Sequence, residues 1–120
     1  MGNSKEAYAF GEKLVSKNWD DPMLLNQVAW TVVDDRRVKS RDTDFALRVA
    51  KRAAELTDHK DGAILDTLAR AYYEGGELAR AVEWQRKAVK HAAGPMKEDL
   101  QKVLEKYEAE KKEKKGGVAL

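Results

Sequence analysis

The segment from Ile64 to Ala88 constrains the fold of this chain more than any other. Its first half places Leu65, Leu68 and Tyr72 on one helix face, because residues three and four apart stack along the 3.6-residue period. Gly75-Gly76 interrupts the pattern, since glycine adopts the conformations of a helix C-cap or tight turn without steric cost. A second apolar stripe follows, formed by Leu78, Ala81, Val82, Ala88 and Val89. The segment therefore predicts a hairpin of two antiparallel helices.

The spacing across this turn resembles the signature of the tetratricopeptide repeat (TPR). The matching positions are Leu65, Leu68, Ala69, Tyr72, Ala81 and Ala88. Two positions depart from the signature: Leu65 stands where the family has Trp, and Gln85 stands where it has an aromatic residue. The resemblance implies an all-α fold, a right-handed superhelix of antiparallel helix pairs.

The same apolar pattern recurs on both sides of this segment. Leu25, Val28, Ala29 and Val32 repeat it earlier in the chain, and Leu100, Val103, Leu104 and Tyr107 repeat it later. We therefore expect a single domain over 1–115 with about six helices. Its predicted parts are a first helix at 3–18, a repeat with an extended turn at 22–57, a repeat at 61–93, a C-terminal capping helix at 96–112, and a frayed tail at 113–120.

The first helix has no repeat partner before it. Its predicted apolar face consists of Ala7, Phe10, Gly11 and Leu14, which parallels the second helix of a repeat. Two interpretations are open: the helix is an N-terminal cap, or it is the second half of a repeat that begins in a longer protein. After the next helix, a polar loop is predicted from Asp34 to Asp42, with Asp42 or Thr43 as the cap of the third helix.

The predicted core combines the inner faces of the repeated helices. Its members are Leu25, Val28, Ala29, Ala46, Ala53, Leu65, Leu68, Ala69, Tyr72, Ala81, Ala88, Leu100 and Val103.

Charge and composition narrow the function classes. The 23 basic and 21 acidic residues leave a net charge of +2, so no strong field predicts a nucleic-acid partner or an anionic membrane. No apolar run approaches the ~20 residues of a membrane span, and the N-terminus has no signal-peptide pattern. Because the chain has no Cys, thiol chemistry is excluded and the cellular compartment is not indicated.

The sequence predicts a protein that is not an enzyme and needs no cofactor. His59 and His91 stand alone, without a nucleophile at catalytic spacing or acidic neighbours at metal-ligand spacing. Gly75-Gly76 follows a helix and not a strand, which argues against a phosphate-binding loop. We therefore expect no catalytic residue and no metal site.

The TPR resemblance implies a concave groove, lined by the first helix of each repeat, that binds peptides. The corresponding groove residues are Asn26, Trp30, Val33, Asp66, Arg70, Tyr73 and Gln101. Trp and Tyr offer flat apolar area and Arg a planar donor group, so all three types serve as binding anchors. In this hypothesis Asn26 orients the peptide backbone and Arg70 pairs with an acidic peptide side chain. The alternative is structural: Trp30 packs under the long turn and Tyr73 covers a neighbouring helix.

Two function hypotheses follow. The first is a protein–protein interaction module that binds a peptide segment of a partner, and the second is a structural element that completes a homo-oligomer. The TPR family's carboxylate clamp is disfavoured, because Glu105 and Glu108 occupy positions that would need neutral or basic residues. The chain is also similar to TPR extensions that follow thioredoxin-like domains in some bacterial proteins, which implies a longer protein and a partner presented to an oxidoreductase.

Overall fold

Six α-helices make up a computed structural model of the chain, which describes residues 4–34 and 40–119 and the side chains of 9–34 and 42–114. The helices are α1 (Ser4–Lys17), α2 (Pro22–Asp34), α3 (Ser40–Leu56), α4 (Gly62–Glu74), α5 (Leu78–Lys90) and α6 (Gly94–Ala119). No strand occurs in these two ranges, and the predicted all-α fold class is confirmed.

Successive helices pack against each other along the chain. The principal contacts join α2 to α3, α3 to α4, α4 to α5 and α5 to α6, and α2 also contacts α4. The array measures 44 × 34 × 21 Å. Its smallest dimension corresponds to about two helix diameters, which fits helices stacked as a two-layer array. One helix of each pair can therefore contribute side chains to a common face.

Short polar residues start the two helices that carry the repeated pattern. The carboxylate of Asp21 accepts a hydrogen bond from the Leu24 amide, and that of Asp61 accepts one from the Ile64 amide, each at 3.2 Å. Both bonds satisfy a first-turn amide that has no partner within its helix.

The predicted turn between α4 and α5 is formed by its two glycines. Gly76 has φ of +84°, a left-handed conformation that residues with a Cβ atom rarely adopt. The amides of Gly75 and Glu77 donate to the carbonyls of Ala71 and Tyr72 at 3.1 and 2.9 Å. The turn thus satisfies the last carbonyls of α4 and directs α5 back along it.

Most of the predicted core is buried. Val28 and Val103 are the exceptions, since both lie half-buried against the core. The buried apolar residues beyond those predicted are Val15, Val33, Phe45, Val49, Ala50, Ala54, Ile64, Ala71, Val82, Leu104 and Tyr107.

The predicted inner face of α1 is wrong in part. Val15 is buried, whereas Phe10 leaves 67% of its surface exposed. Charged groups help attach this helix: Arg48 of α3 binds Glu12 at 2.7 Å, and Arg52 donates to the Trp19 carbonyl at 2.9 Å. Trp19 lies in the turn after α1, and Gly11 of α1 faces the Phe45 ring, so the side of α1 turned toward α3 combines polar and apolar residues. Ala7 lies outside the described side chains.

Two helix boundaries also differ from prediction. The third helix begins at Ser40, so Asp42 and Thr43 lie within it and are not its cap, and Thr43 is buried. Residues 35–39 of the predicted loop lie outside the described ranges. The last helix continues to Ala119 instead of ending at residue 112, because the Glu and Lys residues that follow are strong helix formers. None of the described helices is long and apolar enough to cross a membrane.

Candidate functional site

Two predicted site residues on neighbouring repeated helices contact each other. The guanidinium carbon of Arg70 on α4 lies 5.7 Å from the ring centre of Trp30 on α2. Trp30 keeps 37% of its surface exposed and does not belong to the core. A cation over an indole face is an attractive arrangement, so this pair holds a large aromatic surface at the solvent boundary.

Carboxylates of the chain itself surround the Arg70 guanidinium. Its Nε donates to Glu74 one helical turn away at 2.7 Å, and its Nη1 lies 4.0 Å from Asp34. Burial alone would lower the pKa of Arg70, but the hydrogen bond and charge of Glu74 raise it above the ordinary value. Arg70 is therefore fully charged and already paired.

Tyr73 extends this surface from α4 to α6. Its ring stacks on that of Tyr107 at 4.6 Å, and its hydroxyl donates to the Glu110 carboxylate at 2.9 Å. The ammonium of Lys106 lies 5.3 Å from the ring centre of Tyr73. Desolvation and the hydrogen bond to Glu110 both raise the pKa of Tyr73. We call Trp30, Arg70, Tyr73 and Tyr107 the aromatic strip.

A buried amide lies beneath the strip. Gln85 of α5 is fully buried, and its Nε2 donates to the Asp66 carboxylate at 2.9 Å and to the Leu100 carbonyl at 3.0 Å. One side chain thus ties α4, α5 and α6 together at the position where the TPR signature has an aromatic residue. Desolvation raises the pKa of Asp66, although the bond from Gln85 and the charge of Arg70 oppose the shift.

Tyr107 is the buried end of the strip. Burial raises its pKa, and the nearby charge of Asp66 adds to the effect. The phenol therefore stays neutral at physiological pH. It supplies packing surface and the stack on Tyr73, and no charge of its own.

The other predicted site residues have different surroundings. Val33 is 1% exposed and belongs to the core, so its assignment to the groove is wrong. It continues the Leu25–Ala29 line at four-residue spacing and has no polar atom to keep near water. Gln101 is half-buried and donates to Glu105 of its own helix at 3.3 Å. Asn26 is half-buried, and its Oδ1 is enclosed without a hydrogen-bond partner.

Sequence reasoning placed Gln101 of α6 at the site but missed three other residues of this helix. Tyr107 was expected only as a repeat of the apolar pattern, and Lys106 and Glu110 were not expected at the site. The available signal was spacing: Tyr107 and Glu110 are three residues apart and so share a helix face. Glu108, by contrast, binds Arg86 of α5 at 2.9 Å.

A second surface feature is a shallow cavity of about 350 Å³ between Trp19 and the outer side of α3. Arg48 and Arg52 both lie within 6 Å of the Trp19 ring centre, at 5.8 and 5.6 Å. Each is already paired, Arg48 with Glu12 and Arg52 with Asp20. These contacts help attach α1 and the turn that follows it to α3.

Within the described residues, no three acidic or histidine side chains come together in a way that would hold a metal ion. Comparisons of the chain with protein families, with curated proteins and with solved structures find no match.

Proposed function

We propose that the chain is a TPR-type interaction domain that binds a peptide segment of a partner protein along the aromatic strip. The repeated sequence pattern and the all-α array of helix pairs support this assignment. In such an arrangement the faces of α2, α4 and α6 form one continuous surface.

The contact between Trp30 and Arg70 carries the proposal. Trp30 keeps 37% of its surface exposed, and its ring offers a ligand a large apolar area with a polar edge. Here a cation from the next repeated helix holds the ring in place. A pre-ordered aromatic side chain loses little entropy on binding, which makes it an effective anchor for a peptide.

Selection from a random peptide library tests the proposal without knowledge of the partner. The full chain is immobilised beside a Trp30→Ala/Arg70→Ala variant, whose fold is checked by circular dichroism. Peptides retained by the wild type and not by the variant are the expected result. If every retained peptide binds both proteins equally, or none is retained, the proposal is wrong.

A second candidate function is homo-oligomer formation through α1. The supporting observation is Phe10, a large apolar side chain with 67% of its surface exposed. Aromatic residues are enriched in the contact surfaces between subunits. Light scattering at micromolar concentration separates the two functions. A dimer that a Phe10→Ser substitution dissociates would favour the second one, and a monomer would exclude it.

We also propose a role for the domain within a longer protein. The similarity to TPR extensions after thioredoxin-like domains suggests that the bound peptide belongs to a protein on which an attached oxidoreductase acts. The peptide-binding role of the strip does not depend on this setting.

A further inference from the structure

The charges around the aromatic strip are unbalanced. Among the side chains that the structure describes there, two are cations, Arg70 and Lys106. Four are carboxylates, and these are Asp34, Asp66, Glu74 and Glu110. Both cations lie over aromatic rings of the strip, Arg70 over Trp30 and Lys106 over Tyr73. The cations thus lie against the rings of the strip, and the net charge of these six described side chains is negative.

The pairing of Arg70 overturns the expectation that it binds an acidic peptide side chain. Its guanidinium is occupied by Glu74 at 2.7 Å, with Asp34 at 4.0 Å. An incoming carboxylate would have to displace Glu74 and would also meet the field of Asp66, which acts on Arg70 and Tyr107 alike. Like charges at such close range disfavour binding.

Two of the bordering carboxylates have no ion pair. Among the described side chains, Asp66 accepts from the Gln85 amide and Glu110 from the Tyr73 hydroxyl, and neither has a basic group within 4.0 Å. Both border the Tyr73–Tyr107 stack, since the charge of Asp66 acts on Tyr107 and Glu110 binds the Tyr73 hydroxyl. A carboxylate next to an aromatic surface is well suited to a Lys or Arg side chain, whose stem is apolar and whose end is charged.

Two amide side chains on the helices around the strip each have an enclosed oxygen. The Oε1 atom of Gln85 and the Oδ1 atom of Asn26 are both enclosed without a partner. Gln85 is fully buried, and the other end of its amide group touches Asp66. Asn26 precedes Trp30 by one helical turn, as Asp66 precedes Arg70. Because both oxygens are enclosed, a ligand on the surface does not reach them, and they take no part in its selection.

We propose that the aromatic strip selects a peptide segment that carries Lys or Arg, with the cation placed between Asp66 and Glu110 and an apolar neighbour on Trp30. This inference rests on the proposed function, because it specifies the ligand of the same site. The acidic surplus supplies attraction, and the aromatic rings supply contact area for the stem of the basic side chain.

The composition of library peptides tests the inference separately from the proposed function. Peptides that bind the full chain but not the Trp30→Ala/Arg70→Ala variant are sequenced, and their Lys and Arg content is compared with that of the unselected library. Enrichment of Lys and Arg is expected. Strip-dependent peptides that are neutral or acidic would overturn the inference and leave the proposed function standing. An absence of strip-dependent peptides would overturn both.

Removal of single negative charges from the protein gives a second test. The affinity of one peptide that binds the full chain but not the Trp30→Ala/Arg70→Ala variant is measured for each variant. Asp66→Asn and Glu110→Gln keep the hydrogen bonds to Gln85 and Tyr73 and remove only the charge. Each should weaken binding by about two- to fivefold at low salt, less at high salt. Glu98→Gln, on the exposed first turns of α6, is the matched control and should change nothing. Equal affinities for all three variants would refute the placement of the cation.

Discussion

The Arg70 guanidinium lies 5.7 Å from the ring centre of Trp30 and binds Glu74 at 2.7 Å. Trp30 lies on α2 five residues after Leu25, and Arg70 lies on α4 five residues after Leu65. Leu25 and Leu65 are the first apolar positions of the two repeats. A recurring sequence pattern has therefore brought matched positions of two repeats into direct contact. This contact places an exposed aromatic ring and a paired cation on the face that α2, α4 and α6 share.

Replacement of Ala69 by Leu should destabilise the domain by about 1–3 kcal/mol, because extra methylenes forced into a packed helix crossing cause strain. Ala69 is fully buried on α4, so the larger side chain has no route to solvent. Urea unfolding measures the change. Ala79→Leu, at an exposed position of α5, is the control and should have little effect. Equal stabilities for the two variants would show that the helix register is wrong.

Replacement of Gly76 by Ala should cost about 1–2 kcal/mol, since an L-residue is strained in the left-handed region. Gly76 has φ of +84°, and no neighbouring atom would contact an added Cβ, so the loss is purely conformational. Gly76→Asn should lose less, because Asn tolerates this conformation. Thermal unfolding of both variants provides the comparison. A larger loss for Asn than for Ala would contradict the assigned turn.

The free energy of unfolding should depend on pH through Asp66. Desolvation raises the pKa of this carboxyl in the folded state above its ordinary value of 3.8. The folded protein therefore binds the proton more tightly than the unfolded chain does. The stability that this tighter proton binding adds is complete below pH 3.8, and it is lost as the pH rises through the folded-state pKa of Asp66.

Asp66→Asn removes this dependence while retaining an oxygen that accepts from Gln85. The stability of this variant relative to the wild type should accordingly increase between pH 3 and pH 7, as followed by urea unfolding at each pH. Glu83→Gln, at an exposed position of α5, controls for the general loss of one negative charge. A difference that stays constant or shrinks with rising pH would contradict the assigned surroundings of Asp66.

The fold was largely predictable because its determinants are local. Helical spacing of small and apolar residues defined the packed faces, and Gly75-Gly76 marked the turn between α4 and α5 through chemistry that acts within a few residues. The face of α1 was not predictable in the same way. Arg48 of α3 binds Glu12 of α1, and Arg52 binds the turn that follows α1, so both contacts come from a helix more than thirty residues away.

The site was only partly predictable for the same reason. The repeat pattern placed Trp30, Arg70 and Tyr73 on a common face, and the structure connects them. It also placed Val33 there. A pattern of positions does not distinguish valine, whose burial stabilises the fold, from tyrosine, whose hydroxyl stays bonded to Glu110. Gln85 looked like a departure from the signature, and only its bonds to Asp66 and Leu100 reveal its linking role.

The most direct test of peptide binding along the strip is calorimetric titration of one library-selected peptide into matched double variants. Trp30→Ala/Arg70→Ala removes the aromatic–cation pair of the strip. Trp84→Ala/Lys87→Ala removes a comparable pair on α5, where the ammonium lies 4.4 Å from the ring centre. The strip variant should lose about tenfold or more in affinity, as expected for a binding anchor, and the α5 variant should bind like the wild type. Unchanged affinity in the strip variant, or an equal loss in both, would contradict a binding site on this face.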